Sequence, residues 1–208
     1  NTAVSNNVYQ YEIGLKNRGS IGGARYTVEL TGYHSHFNIT TFELSQTICP
    51  IVTGNPNQFT CIIADKYKTT GAEFCGTLSA GGFSLLANMT YNKSKRQPSA
   101  PGSVFRRSNN IPDLSYTFAA NYDFSDMVAI GANITGVTST VDGAGNEWSG
   151  ASVVGANIKI RPVKNLELGL NAYNLFNKLT PLGPAGTDYN AGGGRFVGGI
   201  SPVLGRNV

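Results

Sequence analysis

The side chains of this 208-residue chain best suited to chemistry are scattered, and their types suit capture of a solute better than its conversion. Tyr67, Arg106, Arg107, Trp148 and Tyr189 fall in or beside long polar segments. Aromatic faces hold sugars, and guanidinium groups hold anionic chelates through charge-assisted hydrogen bonds. His34 and His36 stand two apart, so a strand turns both to one face. A His-x-His pair needs further ligands to hold a metal, and no Cys, Asp or Glu stands beside it; hydrogen bonding near a rim is expected, with no metal. Asp142-Gly143-Ala144-Gly145-Asn146 resembles a calcium loop only at its start, because the later acidic ligands are absent, and is expected to be a flexible turn. Gly192-Gly193-Gly194 follows no strand-to-helix transition, so a phosphate cradle has no support. No nucleophile and base stand together. The sequence therefore predicts no enzyme and no cofactor.

The three cysteines, Cys49, Cys61 and Cys75, fit no zinc spacing. Cys49 and Cys61 flank a turn-rich insert containing Gly54, Asn55, Pro56 and Asn57. A bridge between them would close a small loop and imply an oxidising compartment; the alternative is three unpaired small hydrophobes.

Composition bounds what can position these groups. Only 13% of residues are charged, about half the usual share, and the 26 glycines are about twice the ordinary frequency. Ten Tyr and ten Phe accompany one Trp. Helical bundles, coiled coils and charged disordered tails need other compositions. The net charge is +4, and its basic residues do not gather into the stripe of a nucleic-acid protein. The densest groups, Lys93, Lys95 and Arg96, then Arg106 and Arg107, surround one Pro/Ser/Gly loop. No nucleic-acid partner is expected. No apolar run reaches the length of a transmembrane helix. The chain starts Asn1-Thr2-Ala3-Val4, without Met or a signal segment, and reads as a processed or truncated product.

Period two dominates the sequence. Leu114, Tyr116, Phe118, Ala120, Tyr122 and Phe124 alternate with Ser115, Thr117, Ala119, Asn121 and Asp123, the pattern of a strand with one apolar and one polar face. The same pattern recurs around residues 9–15, 26–31, 72–78, 83–92, 128–135, 154–161 and 166–172, giving eight strands. Short connections lie near residues 19–23, 80–82, 125–126 and 162–165, and long ones near 45–65, 97–113, 142–149 and from 180 onward. This short–long rhythm is that of outer-membrane barrels, with tight turns at one end and long loops at the other. The polar faces carry Gly, Ser, Thr and Asn where a soluble β-sandwich would carry Lys and Glu. No apolar face has a charge at its centre, where a lipid-facing Lys or Arg would cost about 2–4 kcal/mol. Tyr9, Tyr91 and Tyr122 sit towards strand ends, as in an aromatic girdle. Lipid outside and a polar lumen within is the preferred reading. Glu12, Glu73, Asn88, Asn121, Asn133, Asn157 and Asn171 then line the lumen, as a solvated wall or as substrate contacts.

Near the C-terminal end the residues become specific. Pro162 to Lys178, ending in Asn174-Leu175-Phe176-Asn177-Lys178, resembles the penultimate hairpin of TonB-dependent outer-membrane receptors, with Asn177 where Asp is commoner. Lys68-Thr69-Thr70-Gly71-Ala72-Glu73-Phe74 resembles that family's "x-Gly-x-Glu-φ" strand start, and Tyr11-Glu12-Ile13-Gly14-Leu15-Lys16 its "Tyr-Glu-x-Gly-x-Lys" strand. The ending Ser201 to Val208 resembles the start of its last barrel strand. The resemblance covers essentially the whole chain, in the family's order.

The resemblance implies an all-β, antiparallel up-and-down transmembrane barrel, of which residues 1–208 would be a partial barrel domain. That domain would hold about eight strands of roughly 22, with the plug and the final strand outside this chain. It implies the bacterial outer membrane, TonB-energised uptake of an iron chelate, a cobalamin or an oligosaccharide, and the TonB complex as partner through other parts of the receptor. Outer-membrane lipid and lipopolysaccharide are the remaining partners, and Arg106 and Arg107 have a second reading as contacts to lipopolysaccharide phosphates. A passive porin is the first rival; a secreted soluble β-sandwich binding module is the second.

Overall fold

The computed structural model describes the backbone of residues 7–44, 60–100, 102–178, 181–184 and 200–202, and side chains within residues 7–40, 64–100 and 102–178. The described residues form thirteen strands and no helix: β1 (Val8–Ile21), β2 (Ala24–Leu44), β3 (Thr60–Ala80), β4 (Phe83–Gln97), β5 (Arg106–Arg107), β6 (Leu114–Asp123), β7 (Val128–Val137), β8 (Thr140–Val141), β9 (Glu147–Trp148), β10 (Ala151–Val163), β11 (Leu166–Ala172), β12 (Pro181–Pro184) and β13 (Ile200–Pro202). Eight of them follow one another as neighbours in a single sheet, in the order β1-β2-β3-β4-β6-β7-β10-β11, with β5 added to β4. These eight are the strands the period-two pattern predicts.

Two boundaries differ from the sequence reading. β3 begins at Thr60, inside the segment expected to be loop as far as Asp65. The segments expected to be loop at 97–113 and 142–149 contain the short strands β5 and β9, and β8 lies just before the second of them. Each of these pairs with a partner close in sequence, too short a run for alternation to be read.

The chain divides into two compact units. The larger comprises Ile13–Gly32, Gly71–Asn92 and Asn109–Val208. Its register shows what the alternation accomplishes. Leu85, Ala120, Ala132, Ala156 and Ala172 stand in one row across β4, β6, β7, β10 and β11; Phe83, Tyr122, Ile130, Ile158 and Leu170 stand in another. Between these rows lies Ser84-Asn121-Gly131-Asn157-Asn171, pointing to the opposite face. A one-residue slip in any pair would mix the two sets, so the pattern fixes the register.

Glycines permit two kinds of close approach here. The turn between β3 and β4 places Gly81 and Gly82 at φ 52° and 84°, in the left-handed region that favours glycine. A Cβ on Gly82 would lie 2.8 Å from the Asp123 carbonyl oxygen. On β7, a Cβ on Gly136 would lie 2.5 Å from the Tyr116 ring, which crosses the glycine to hydrogen-bond Ser152 (Oη···Oγ 2.6 Å).

Among the described residues, the buried apolar side chains are Ala129 and Ala151 alone. Large apolar groups instead stand exposed on β1, β2, β4, β6, β7, β10 and β11, including Ile13 at 79% and Leu168 at 54%. A β-sandwich would turn this face inward against a second sheet. Among the described residues, nothing covers these apolar faces.

The smaller unit comprises Asn1–Glu12, Tyr33–Thr70 and Lys93–Ser108. It holds the loop-proximal segments of β1 to β4 together with β5, and its interior is polar. Ser94 and Ser108 hydrogen-bond through their hydroxyls at 2.8 Å, Thr69 donates to Ser94 at 3.2 Å, and Ser108 is only 2% exposed.

Candidate functional site

In the smaller unit, Tyr67 stacks on Phe37, with ring centroids 4.9 Å apart and planes within 2°. Two residues before Tyr67 on the same face of β3, buried Asp65 accepts from Arg96 Nε at 2.7 Å and from the Ser99 amide at 3.0 Å, and also pairs with a second Arg96 nitrogen. Gln97 donates to the Ser103 carbonyl at 2.7 Å. These contacts tie the start of the loop after β4 back to β3 and β4. Asp65, Arg96 and Phe37 carry this geometry. The first two lie 31 residues apart, so no local spacing signals their pairing.

Arg106 and Arg107 part company. Arg106 pairs in register with Arg96, and Arg107 with Lys95, so the two guanidinium groups turn to opposite faces of β5. Arg106 shares the face of Asp65, Tyr67 and Ser94; Arg107 shares that of Lys95. His34 Nδ1 hydrogen-bonds Thr70 Oγ1 at 2.8 Å, the kind of contact expected of the histidine pair. No group of metal-binding side chains occurs among the described residues.

In the larger unit, Trp148 is held by the Asp142 loop. Asp142 accepts the Ala144 and Asn146 amides at 2.9 and 2.8 Å, the Asn146 side-chain amide at 2.9 Å and Trp148 Nε1 at 3.2 Å. The Asn146 side chain does most to hold the Asp142 carboxyl below its ordinary pKa, joined by the Asn146 amide, the indole and the Ala144 amide; each bond favours the charged form. The carboxylate thus spends its lone pairs within the turn and fixes an indole. The loop expected to be a turn closes as an Asx-type turn.

The segment Asn174-Leu175-Phe176-Asn177-Lys178 is a self-closed turn. Asn174 is 3% exposed. Its Nδ2 donates to the Lys178 carbonyl at 3.0 Å, its Oδ1 accepts the Lys178 amide at 2.9 Å, and its own carbonyl accepts the Asn177 amide at 2.8 Å. Asn174 and Asn177 have φ of 50° and 48°, a region that Asn and Asp enter more readily than other side chains. This explains why Asn can stand at position 177 where Asp is commoner.

A depression of about 260 Å³ on the polar side of this unit is lined by Glu29, Thr31, Glu73, Cys75, Asn88 and Thr90, with Phe74 and Met89 at its walls. Glu29 is ion-paired with Lys16. Glu73 and Asn88, both expected to face the lumen, meet here. Cys75 is a free thiol. Tyr189, Cys49 and the side chain of Cys61 lie outside the described residues.

Long antiparallel strands joined alternately by tight turns and long loops, with one face apolar and exposed and the other lined by Asn, Thr and Gly, define the wall of an outer-membrane β-barrel. The chain belongs to the family described as TonB dependent receptor-like, beta-barrel, whose family model matches residues 7–175. Its fold is similar to that of the ferripyoverdine receptor of the outer membrane of Pseudomonas aeruginosa, at 16% identity over 97% of this chain, 26% of that one and a TM-score of 0.69. It is also similar to the copper transporter OprC, at 19% identity over 97% of this chain and 30% of that one, again with a TM-score of 0.69. A third is the ferric enterobactin receptor of Pseudomonas aeruginosa, at 18% identity, 97% and 30% coverage and a TM-score of 0.60. The chain spans 26% to 30% of the length of these three structures. No curated protein sequence matches it.

Proposed function

We propose that this chain forms barrel wall in an outer-membrane receptor that takes up a scarce solute with energy delivered through TonB. The observation that carries the reading is the two-faced sheet. Rows of Phe, Tyr, Ile, Leu and Ala point one way, uncovered among the described residues, and a row of Ser, Asn and Gly points the other. In a bilayer the apolar rows meet acyl chains, and the polar row faces water in the lumen. An iron chelate, a cobalamin and an oligosaccharide all fit such a receptor. The likeness of its fold to the ferripyoverdine and ferric enterobactin receptors favours the first. TonB and the plug act through parts of the receptor other than this stretch of wall.

Within the wall, Tyr67 and Arg106 in the smaller unit and Trp148 in the larger are the capture groups of the long-loop end. Tyr67 is stiffened by Phe37, and the indole of Trp148 is set by Asp142. Preorganised aromatic groups lose less freedom on binding. Tyr189 belongs to the same set by residue type. Arg107, turned to the other face, is assigned to lipid phosphate instead. Cys49 and Cys61 are assigned to a disulfide closing the loop between β2 and β3.

Uptake of a labelled ferric chelate by cells with and without the intact receptor gene, each in TonB-positive and TonB-negative backgrounds, tests the function. Uptake requiring both genes supports the receptor. Receptor-dependent uptake that persists without TonB, with swelling of liposomes containing the full-length protein, would favour the passive porin.

A further inference from the structure

We infer that Asp65 is a positioning residue for solute capture: its buried carboxylate anchors the loop between β4 and β5, and that loop presents Arg106 to an anionic group of the solute. The inference rests on the receptor reading above and deepens it, because it assigns a charge to what is captured.

Residues 98–105, which join β4 to β5, are mostly Pro, Ser, Ala and Gly. Side chains of this kind bury little, so the loop needs holding from outside. Asp65 supplies that hold. Its Oδ1 accepts the Ser99 amide at 3.0 Å, and its Oδ2 takes two nitrogens of Arg96. Gln97 bonds the Ser103 carbonyl, and the Ser103 amide bonds the Ala100 carbonyl at 3.1 Å, with Gly102 at φ 75°. The far end of the loop returns to β4 as β5. Asp65 is only 8% exposed, so losing either partner would strand a buried charge. The foot of the loop is therefore fixed before any solute arrives.

The same carboxylate decides which arginine is free. Arg96 and Arg106 stand directly opposite each other in the β4–β5 register, and like charges so placed repel. Asp65 neutralises Arg96. Arg106 is exposed, and among the described residues no carboxylate pairs with it. Glu12, the other carboxylate of this unit with a described side chain, bonds Gln10. The face of Asp65 and Tyr67 thus holds an unspent guanidinium, a group that recognises oxyanions through paired, charge-assisted hydrogen bonds.

Position and charge act in opposite directions here, which separates them experimentally. Asp65→Ala makes the face more positive and frees Arg96, so a purely electrostatic role predicts tighter binding of an anion. A positioning role predicts weaker binding, because the bonds that hold the loop's foot are lost and Arg106 is no longer kept in place.

The probes are a trianionic ferric tris-catecholate and a neutral ferric tris-hydroxamate of similar size, titrated into the full-length receptor in detergent. A hydrogen bond to a charged group sets the scale at about tenfold. Wild type should favour the anionic chelate by about that factor, and Asp65→Ala and Arg106→Gln should each lose the preference. The two losses should not add, because both act through Arg106, so the double variant should match Arg106→Gln. Ser99→Pro removes the amide donor and no charge; it should lower the preference as Asp65→Ala does, and it replaces that variant should Asp65→Ala fail to fold. Equal or tighter binding of the anionic chelate by Asp65→Ala, additive losses, or an equal fall for both chelates would each overturn the positioning role. Receptor- and TonB-dependent uptake with no wild-type preference between the chelates would remove this inference and leave the receptor reading intact; absence of TonB-dependent uptake would remove both.

Discussion

Replacing Asn174 offers a sharp quantitative test of how the turn after β11 is held. The residue supplies two side-chain hydrogen bonds to the Lys178 backbone and adopts a left-handed φ of 50° while almost fully buried. Asn174→Gly removes the two bonds and keeps the backbone geometry; at roughly 0.5–1.5 kcal/mol each, the loss is about 1–3 kcal/mol. Asn174→Ala removes the same bonds and also puts a Cβ where the left-handed region penalises it, adding about 1–2 kcal/mol. Asn174→Asp keeps the acceptor for the Lys178 amide and loses the donor to its carbonyl, so it should fall between wild type and the glycine variant. The predicted order of stability is wild type, Asp, Gly, Ala. Urea titration of the full-length receptor in lipid vesicles, read by heat-modifiable mobility on gels, gives these differences directly. Alanine and glycine variants of equal stability would show that the left-handed backbone contributes nothing. All three variants within about 0.5 kcal/mol of wild type, the scatter of ordinary surface changes, would refute the turn account altogether.

Three further predictions follow from the same geometry. Gly82→Ala should destabilise the barrel by about 2 kcal/mol or more, because strained φ and a backbone oxygen 2.8 Å away act together; Gly22→Ala, at φ 56° with nothing within 4 Å, should cost only about 1 kcal/mol, and equal losses on urea titration would contradict this. The Asp142 carboxyl, held below its ordinary value of 3.8, fixes the loop at all pH above that value and releases it as pH falls through the lowered one. The Trp148 fluorescence, taken as the difference from Trp148→Phe, should therefore stay constant from neutral pH to about 4 and change below; a transition near pH 6 would disprove the assignment, and Asp142→Ala should give the acid spectrum at neutral pH. Leu168→Lys should cost on the order of 2–4 kcal/mol in a bilayer although the side chain is more than half exposed, whereas an unchanged stability would place that face in water.

Period two made the main sheet legible because each strand solves the same problem of two unlike faces. The row from Phe83 to Leu170 could be foreseen strand by strand, and the register then followed from matching like faces. The ends were harder. Asp65 reads as the last residue of a loop until Arg96 and Ser99, far along the chain, are seen to hold it on β3. Arg106 and Arg107 read as one basic pair while they are taken as loop; two residues of strand pairing suffice to send them to opposite faces. The Asp142 segment announced a turn by its Gly and Asn, but composition does not reveal that the carboxylate reaches the Trp148 indole. The Asn174 motif was recognisable by resemblance; its purpose came from the hydrogen bonds that close it. The depression between Glu29, Glu73 and Asn88 joins three strands, a coincidence that no single segment displays.

The most direct test of the two-faced wall is to place spin labels at successive positions of β10 and β11 in the full-length receptor in lipid vesicles. Collision rates with oxygen, which concentrates in the bilayer, are then compared with those of a water-soluble nickel chelate. Labels at Ile158, Leu168 and Leu170 should favour oxygen, and labels at Asn157, Glu167 and Asn171 should favour the chelate, giving an alternation of period two. Uniform accessibility to the chelate along both strands, or preference for it at Leu168 and Leu170, would contradict a lipid-facing apolar surface and with it the barrel-wall account.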